Sequence, residues 1–230
     1  MEHKKYELSE SLDRMSRIID GDGQNYRRYA FIPEEDELGE VRGNFVGCVV
    51  IAARLYFTEH EMELLPLAKI YDIYVREMKI ILSEHQLCKQ VICHGNTTIG
   101  IYSIGVEEYM NELLDVAGRV ITLPDVINAK LGRSNAPVIG NVCGMDRGMQ
   151  FAIANDGVDY FGGLLNKVEG WIMKPRGGNE LRGLYISREV LDSLKEQYQG
   201  FFKDSEIDNV LLGKIENIGM ARWVKEQYSG

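Results

Sequence analysis

Leu8, Leu12, Met15, Ile18 and Ile19 recur at three- and four-residue spacing, which predicts an amphipathic helix over 8–19. Gly21, Gly23 and Asn25 end it, and the acidic run Pro33-Glu34-Glu35-Asp36-Glu37 reads as a solvated connection. From Phe45 to Arg54 almost every position is apolar, the mark of a central strand buried on both faces. The strongest helical pattern lies at 67–85. There Leu67, Ile70, Tyr74, Met78, Ile81 and Leu82 form one stripe with charged residues opposite. Two short apolar runs within 91–102 close on Gly95-Asn96 and predict a hairpin. A second long helix is expected from about Val106 to Ile121, with Pro124 as a break and a further helical piece to Leu131. Residues 138–143 and 149–154 read as two strands joined through Gly144-Met145-Asp146-Arg147-Gly148. A helix near Gly163, a strand at 184–187 and a helix at 188–197 complete the pattern.

The order β-α-β-β-α-β with extra terminal elements predicts an α+β fold, a ferredoxin-like sheet with helices on one face. Residues 1–44 are expected to form an N-terminal helix and acidic connection, and residues 45–230 the domain proper. Its 230 residues suffice for one sizeable core, and 45% hydrophobic with 27% charged residues is ordinary for a globular chain. A formal charge of −9 excludes a nucleic-acid backbone as the main partner. The longest apolar run, 46–53, is too short to span a bilayer, so no membrane partner is expected. No export signal is read in Met1-Glu2-His3-Lys4-Lys5. Four cysteines then read as reduced thiols, and the expected compartment is the cytoplasm.

The motifs in this order resemble the class III nucleotide cyclase homology domain, and within it the pyrimidine cyclases of bacterial anti-phage systems (Pycsar). The resemblance is carried by the N-terminal helix with its Ile32-Pro33 lead-in, the strand at 48–54 and the His94-Gly95 hairpin. Gly144-Met145-Asp146-x-Gly148, Gly162-x-x-x-Asn166 and the C-terminal run 213–223 add to it. Together they span nearly the whole chain. The specificity lies in the shared order, since no single piece is diagnostic.

Members of that family cyclise a nucleoside triphosphate with two divalent metals held by two carboxylates, the ligands that hard Mg²⁺ or Mn²⁺ prefers. The resemblance places the first carboxylate in Ile51-Ala52-Ala53-Arg54, where position 52 is alanine, and the second after Gly95, where the residue is Asn96. A third family segment, Gly-Asp-x-x-Asn followed four residues later by a base, falls on Gly162–Gly170. Asn166 is kept there as the ribose-orienting residue. Gly163 replaces the acid that contacts the base, and Gly170 replaces the residue that stabilises the transition state. Lys167 lies one turn too early to substitute directly. One of five positions survives, so the resemblance implies a degenerate, non-catalytic cyclase homologue with no cofactor, since both metal carboxylates are lost.

Partners implied by the resemblance are a second copy in a head-to-tail homodimer, or an active cyclase chain whose carboxylates complete a shared site. Apolar surface near Tyr160–Leu165 is expected to serve the dimer. An active cyclase with a rewired Mn²⁺ or Mg²⁺ site stands as the alternative, requiring Asp156, Asp159 or Glu169 to meet Asn96. A third reading is a nucleotide sensor without turnover, with Arg54, Tyr160 and Asn166 lining a pocket. In that case Ala52, Leu164 and Ile99 would have to leave the pocket unfilled. Plain readings compete at several positions: Asn96 as a turn residue, Arg54 as a surface ion pair, Tyr160-Phe161 as core or dimer contact, and Asp146 as a strand-turn residue. His85, Cys88, Cys93 and His94 have zinc-like spacing, but Cys93 and His94 are adjacent on a strand and point to opposite faces.

Overall fold

The computed structural model describes residues 6–20, 26–34, 37–38, 43–58, 63–103, 109–132, 138–154, 157–173 and 182–228. In chain order these form α1 (Leu8–Ile19), β1 (Tyr26–Tyr29), β2 (Gly43–Phe57), α2 (Leu64–Ser83), β3 (Cys88–His94), β4 (Thr97–Ser103) and α3 (Met110–Leu131). There follow β5 (Ile139–Ala154), β6 (Val158–Phe161), α4 (Gly163–Ile172), β7 (Arg182–Ser187), α5 (Arg188–Asp192) and α6 (Glu196–Gln199). The last elements are β8 (Phe202–Asp204), β9 (Val210–Gly213) and α7 (Ile218–Tyr228).

The nine described strands make one sheet in the order β3-β4-β2-β5-β7-β9-β8, with β1 beside β2 and β6 beside β5. Its central four strands reproduce the expected split βαβ arrangement. β2 lies between antiparallel β4 and β5, and α2 and α3 are the two crossovers. Alternation along β2 divides the interior into two cores. Val49, Ile51, Ala53 and Leu55 face α2 and α3, meeting Ile70, Tyr74 and Leu113. Val46, Cys48, Val50 and Ala52 face the other way, toward Leu164, Leu165, Val168 and Ile172 of α4. The crossover helices therefore share one face, and the added helix α4 covers the opposite one.

Two breaks expected from sequence are absent. The stretch expected as a joint between two strands is the middle of the 16-residue β5, which pairs with β2 without interruption from Ile139 to Ala152. Its glycines mark close packing rather than a turn. A Cβ at Gly144 would lie 2.9 Å from Val168 Cγ1, and one at Gly148 would touch Leu164. Likewise α3 runs straight through Pro124. Proline removes the donor that would bond the carbonyl of Val120 four residues earlier. That carbonyl instead accepts from the Asn141 amide at 2.7 Å, within the core, so the helix continues at little cost. The expected start of this helix near Val106 lies outside the described residues. The helix expected at 188–197 is two short pieces, α5 and α6, and β1, β6, β8, β9 and α7 were not anticipated as elements.

Candidate functional site

The β3–β4 turn ends beside the outer half of β2. Gly95 takes φ 55°, the left-handed conformation that glycine supplies freely, and so aims the next side chain inward. Asn96 is half-buried and doubly engaged. Its Oδ1 accepts from the Tyr71 hydroxyl of α2 at 2.6 Å, and its Nδ2 donates to the Leu55 carbonyl at 3.3 Å. Tyr71 is itself packed edge-on against Phe57, with ring centroids 5.5 Å apart. The Asn96 amide thus points to the α2 side of the sheet, the side on which Ala53 is buried. Ala52 faces the opposite core. Strand alternation separates Ala52 from Asn96, so an acid at 52 and one at 96 would look to different faces.

Arg54 is half-buried one residue beyond. Its guanidinium lies 3.5 Å from the Thr97 hydroxyl, 2.9 Å from the Met173 sulfur and 5.8 Å from the centre of the Tyr56 ring. The Tyr56 hydroxyl donates to the Ile172 carbonyl, which ties this corner to the end of α4. Burial is the main cause raising the Tyr56 hydroxyl pKa, with Arg54 acting in the opposite direction.

On α4, Asn166 is exposed, and so are Gly163 and Gly170. A Cβ at either glycine would meet nothing within 4 Å, so packing does not demand glycine at either place. Lys167 is committed elsewhere. Its ammonium lies 2.8 Å from Oδ2 of Asp146 and 5.3 Å from the Trp171 ring centre. The contact is out of line for a directed hydrogen bond and acts as an ion pair. Asp146 itself is fully buried in β5, and its Oδ1 accepts the backbone N–H of Arg147. Asp146 was expected as a strand-turn residue, and it pairs instead with Lys167 across from β5 to α4. The signal for it was the i,i+4 placement of Lys167 and Trp171, which leans the lysine stem along the helix onto the sheet.

Tyr160 lines a cavity of about 230 Å³ with Ile32, Pro33, Glu34, Lys89 and Gln90, a site across which Lys89 and Glu34 pair at 2.7 Å. Arg54 and Asn166 do not line it. Ala52, Ile99 and Leu164 are buried together in one cluster. The surface near Tyr160–Leu165 is also different from expectation: Tyr160, Leu164 and Leu165 are buried and Phe161 alone of the apolar residues there is exposed. The side chains of β6 and the first turn of α4 alternate between the core and solvent, which hydrophobicity by itself does not distinguish.

No protein-family model matches the chain. It is 21% identical to the uridylate cyclase of Gulbenkiania mobilis, over 97% of this chain and 98% of that protein. Among solved structures it resembles the guanylyl cyclase Cya2 (TM-score 0.58, 10% identity, covering 75% of this chain and 92% of that one). It also resembles a class III adenylyl cyclase-like ATP-binding protein from Pseudomonas aeruginosa (TM-score 0.61, 13% identity, covering 98% of this chain and 50% of that one). The fold is that of a class III nucleotide cyclase homology domain.

A cyclase of this class uses divalent metals, and the positions to which the resemblance points, Ala52 and Asn96, carry no carboxylate for them. Ala52 and Ala53 offer methyl groups, while the single carbonyl oxygen of Asn96 already takes a proton from Tyr71. Among the described residues no three His, Cys, Asp or Glu side chains converge on a point that could hold a metal ion. Asp159 sits on β6 and Glu169 on α4, and Asp156 lies outside the described residues. Of the zinc-spaced residues, His85 pairs with Glu112 at 2.9 Å, the half-buried Cys88 thiol lies 3.6 Å from the Gln90 carbonyl, and Cys93 and His94 are exposed. No described helix is long and apolar enough to cross a membrane.

Proposed function

We propose that the chain is a cyclase homologue without metal-dependent turnover, acting as a binding or regulatory subunit. The carrying observation is Asn96: both ends of its amide are satisfied by the protein, so the hairpin turn is built for asparagine and not for a metal-bound carboxylate. Similarity along the whole length to a uridylate cyclase supports a role in nucleotide signalling. A protein of the same fold, the Pseudomonas aeruginosa neighbour, is a cyclase-like ATP-binding protein. The setting of bacterial anti-phage signalling rests on the resemblance to pyrimidine cyclases.

The partner is a second copy of the chain or an active cyclase chain. Supporting this, β2, β5 and β6 extend past the helical layer as an arm whose outer face exposes Phe45, Met149 and Phe161, with Tyr26 alongside. These side chains gather around Phe151, whose ring lies 5.1 Å from Phe45 and 6.1 Å from Tyr26. Exposed apolar patches of this kind mark interaction surfaces. Beneath the arm, the buried amides of Asn44 and Gln150 have no hydrogen-bond partner among the described residues, and such groups are completed by a ligand, water or a partner chain.

The test is incubation of the purified chain with Mn²⁺ and each of the four ribonucleoside triphosphates. Cyclic products are read by mass spectrometry and melting temperature by thermal shift. No cyclic product with any triphosphate is expected. A metal-independent thermal shift would add nucleotide binding to the reading, and a cyclic product at catalytic rate would overturn it.

A further inference from the structure

A cavity of about 450 Å³ opens beside α3, against about 230 Å³ for the one beside Tyr160. None of the cyclase positions Ala52, Asn96, Gly163, Asn166 and Gly170 lines it. Its floor is a stripe of α3, in which Asn111, Leu114, Asp115 and Gly118 recur at three- and four-residue spacing. Tyr198 and Phe201 supply a second wall, and the run from Lys214 to Asn217 that joins β9 to α7 supplies a third. The volume falls in the range of small-molecule sites.

Hydrogen bonds fix these walls to one another. Asn111 Oδ1 accepts the Lys195 N–H at 3.0 Å, which ties the start of α6 to α3. The Asn217 N–H donates to the Thr122 hydroxyl at 2.9 Å and its Nδ2 to Asp115 at 3.2 Å, which ties the β9–α7 run to the same helix. Gly118 keeps the floor low. A Cβ there would lie 3.7 Å from the Asn217 nitrogen and 3.9 Å from Ile215, which is ordinary contact, so packing does not demand glycine. Glycine inside a helix is destabilising relative to alanine. What the missing side chain leaves is open space beneath the β9–α7 run.

Charge and aromatic character set what fits. Arg119 is shared between Asp115 and Glu84, and Arg182 between Glu216 and Asp125. Each trio keeps a net negative charge, and Lys214 offsets only one of the two. The Tyr198 and Phe201 rings, with centroids 6.4 Å apart, add π faces that attract cations. Leu114 and Ile215 add aliphatic surface. A phosphate or carboxylate is the poorer match, because it would face Asp115 and Glu216.

We propose that this cavity binds a small amphipathic ammonium, its apolar body against Tyr198, Phe201 and Leu114 and its charged nitrogen at Asp115 and Glu216. The site goes beyond the functional reading above and does not depend on whether a nucleotide is bound or turned over.

Two probes with the same ring and opposite charge, tryptamine and indole-3-propionate, test this on the full chain by NMR chemical-shift titration at pH 7. Tryptamine is expected to bind with a Kd on the order of 1 mM, the level usual for a fragment of its size. Indole-3-propionate should bind at least tenfold more weakly. Gly118→Leu, which fills the floor, should weaken tryptamine at least tenfold, and Glu216→Gln at least threefold. Phe201 is 55% exposed, so Phe201→Ala should fold as the wild type does and weaken tryptamine at least threefold. That variant keeps the test open if Gly118→Leu does not fold. Equal affinity for the two probes, or tryptamine binding that no folded variant weakens, would overturn the proposal. So would the absence of saturable tryptamine binding below about 10 mM.

Discussion

Placing an acid at the hairpin with Asn96→Asp is expected to weaken the protein without creating a metal site. The substitution keeps the acceptor for Tyr71 but removes the Nδ2 donor and sets a carboxylate oxygen against the Leu55 carbonyl, where the amide now lies 3.3 Å away. Leaving a partly buried carbonyl unpaired costs about 1–3 kcal/mol. The charged acceptor strengthens the Tyr71 bond and returns roughly 1 kcal/mol of that. A net loss of up to about 2 kcal/mol lowers the melting temperature of a chain this size by up to roughly 8 °C. The sign with pH follows from the same contact. A protonated carboxyl donates to the Leu55 carbonyl again, so the deficit is present above the carboxylate range and shrinks as pH falls toward about 4. Scanning fluorimetry of wild type and variant, with and without millimolar Mn²⁺ at pH 4 and pH 7, checks both parts. A variant melting at or above the wild type at pH 7, or one stabilised by Mn²⁺ when the wild type is not, would refute the claim that this turn is built for an amide.

Three further outcomes are expected. Gly170→Arg should raise stability by about 0.5–1 kcal/mol in urea titration, because the position is exposed, in the last turn of α4 and open to a side chain; a loss would mean α4 is covered there by a partner. Lys167→Met should cost about 1–2 kcal/mol, a buried-pair penalty discounted for a half-exposed lysine, and adding Asp146→Asn should recover most of it. If the single change is neutral, Asp146 has another partner. Burial pushes the Cys48 thiol up to about 12 and raises those of Cys143 and Cys88, whereas Cys93 is exposed. Iodoacetamide at pH 8 followed by peptide mass mapping should therefore label Cys93 first and leave Cys48 and Cys143 unmodified until denaturant is added.

Much of the framework was legible because it is written in periodicity. The stripe of Ile70, Tyr74 and Met78, the apolar run through β2 and the Gly95-Asn96 turn each specify a local geometry, and their order leaves few ways to build a sheet. That residues 52 and 96 are alanine and asparagine was equally plain, being a matter of residue identity. Misreadings came where one residue type has two uses. Gly144 and Gly148 signal a turn or a close approach, and only the position of α4 above β5 decides between them. Pro124 signals a helix end unless a distant side chain takes the freed carbonyl, and Asn141 is 17 residues away in sequence. Short strands such as β1 and β6 carry too few residues to show a period, and they exist because the long β2 and β5 offer them an edge.

The sequence alone thus determined the α+β order, the cyclase resemblance and the identity of Ala52 and Asn96, since these follow from local pattern and chemical identity. Tertiary structure decided that Ala52 and Asn96 face different sides, that Lys167 is tied to Asp146 and that Ala52 packs with Ile99 and Leu164. Each of these depends on which residues from distant segments meet. A one-residue change of register or a tilt of one helix would reverse them while leaving every local pattern unchanged.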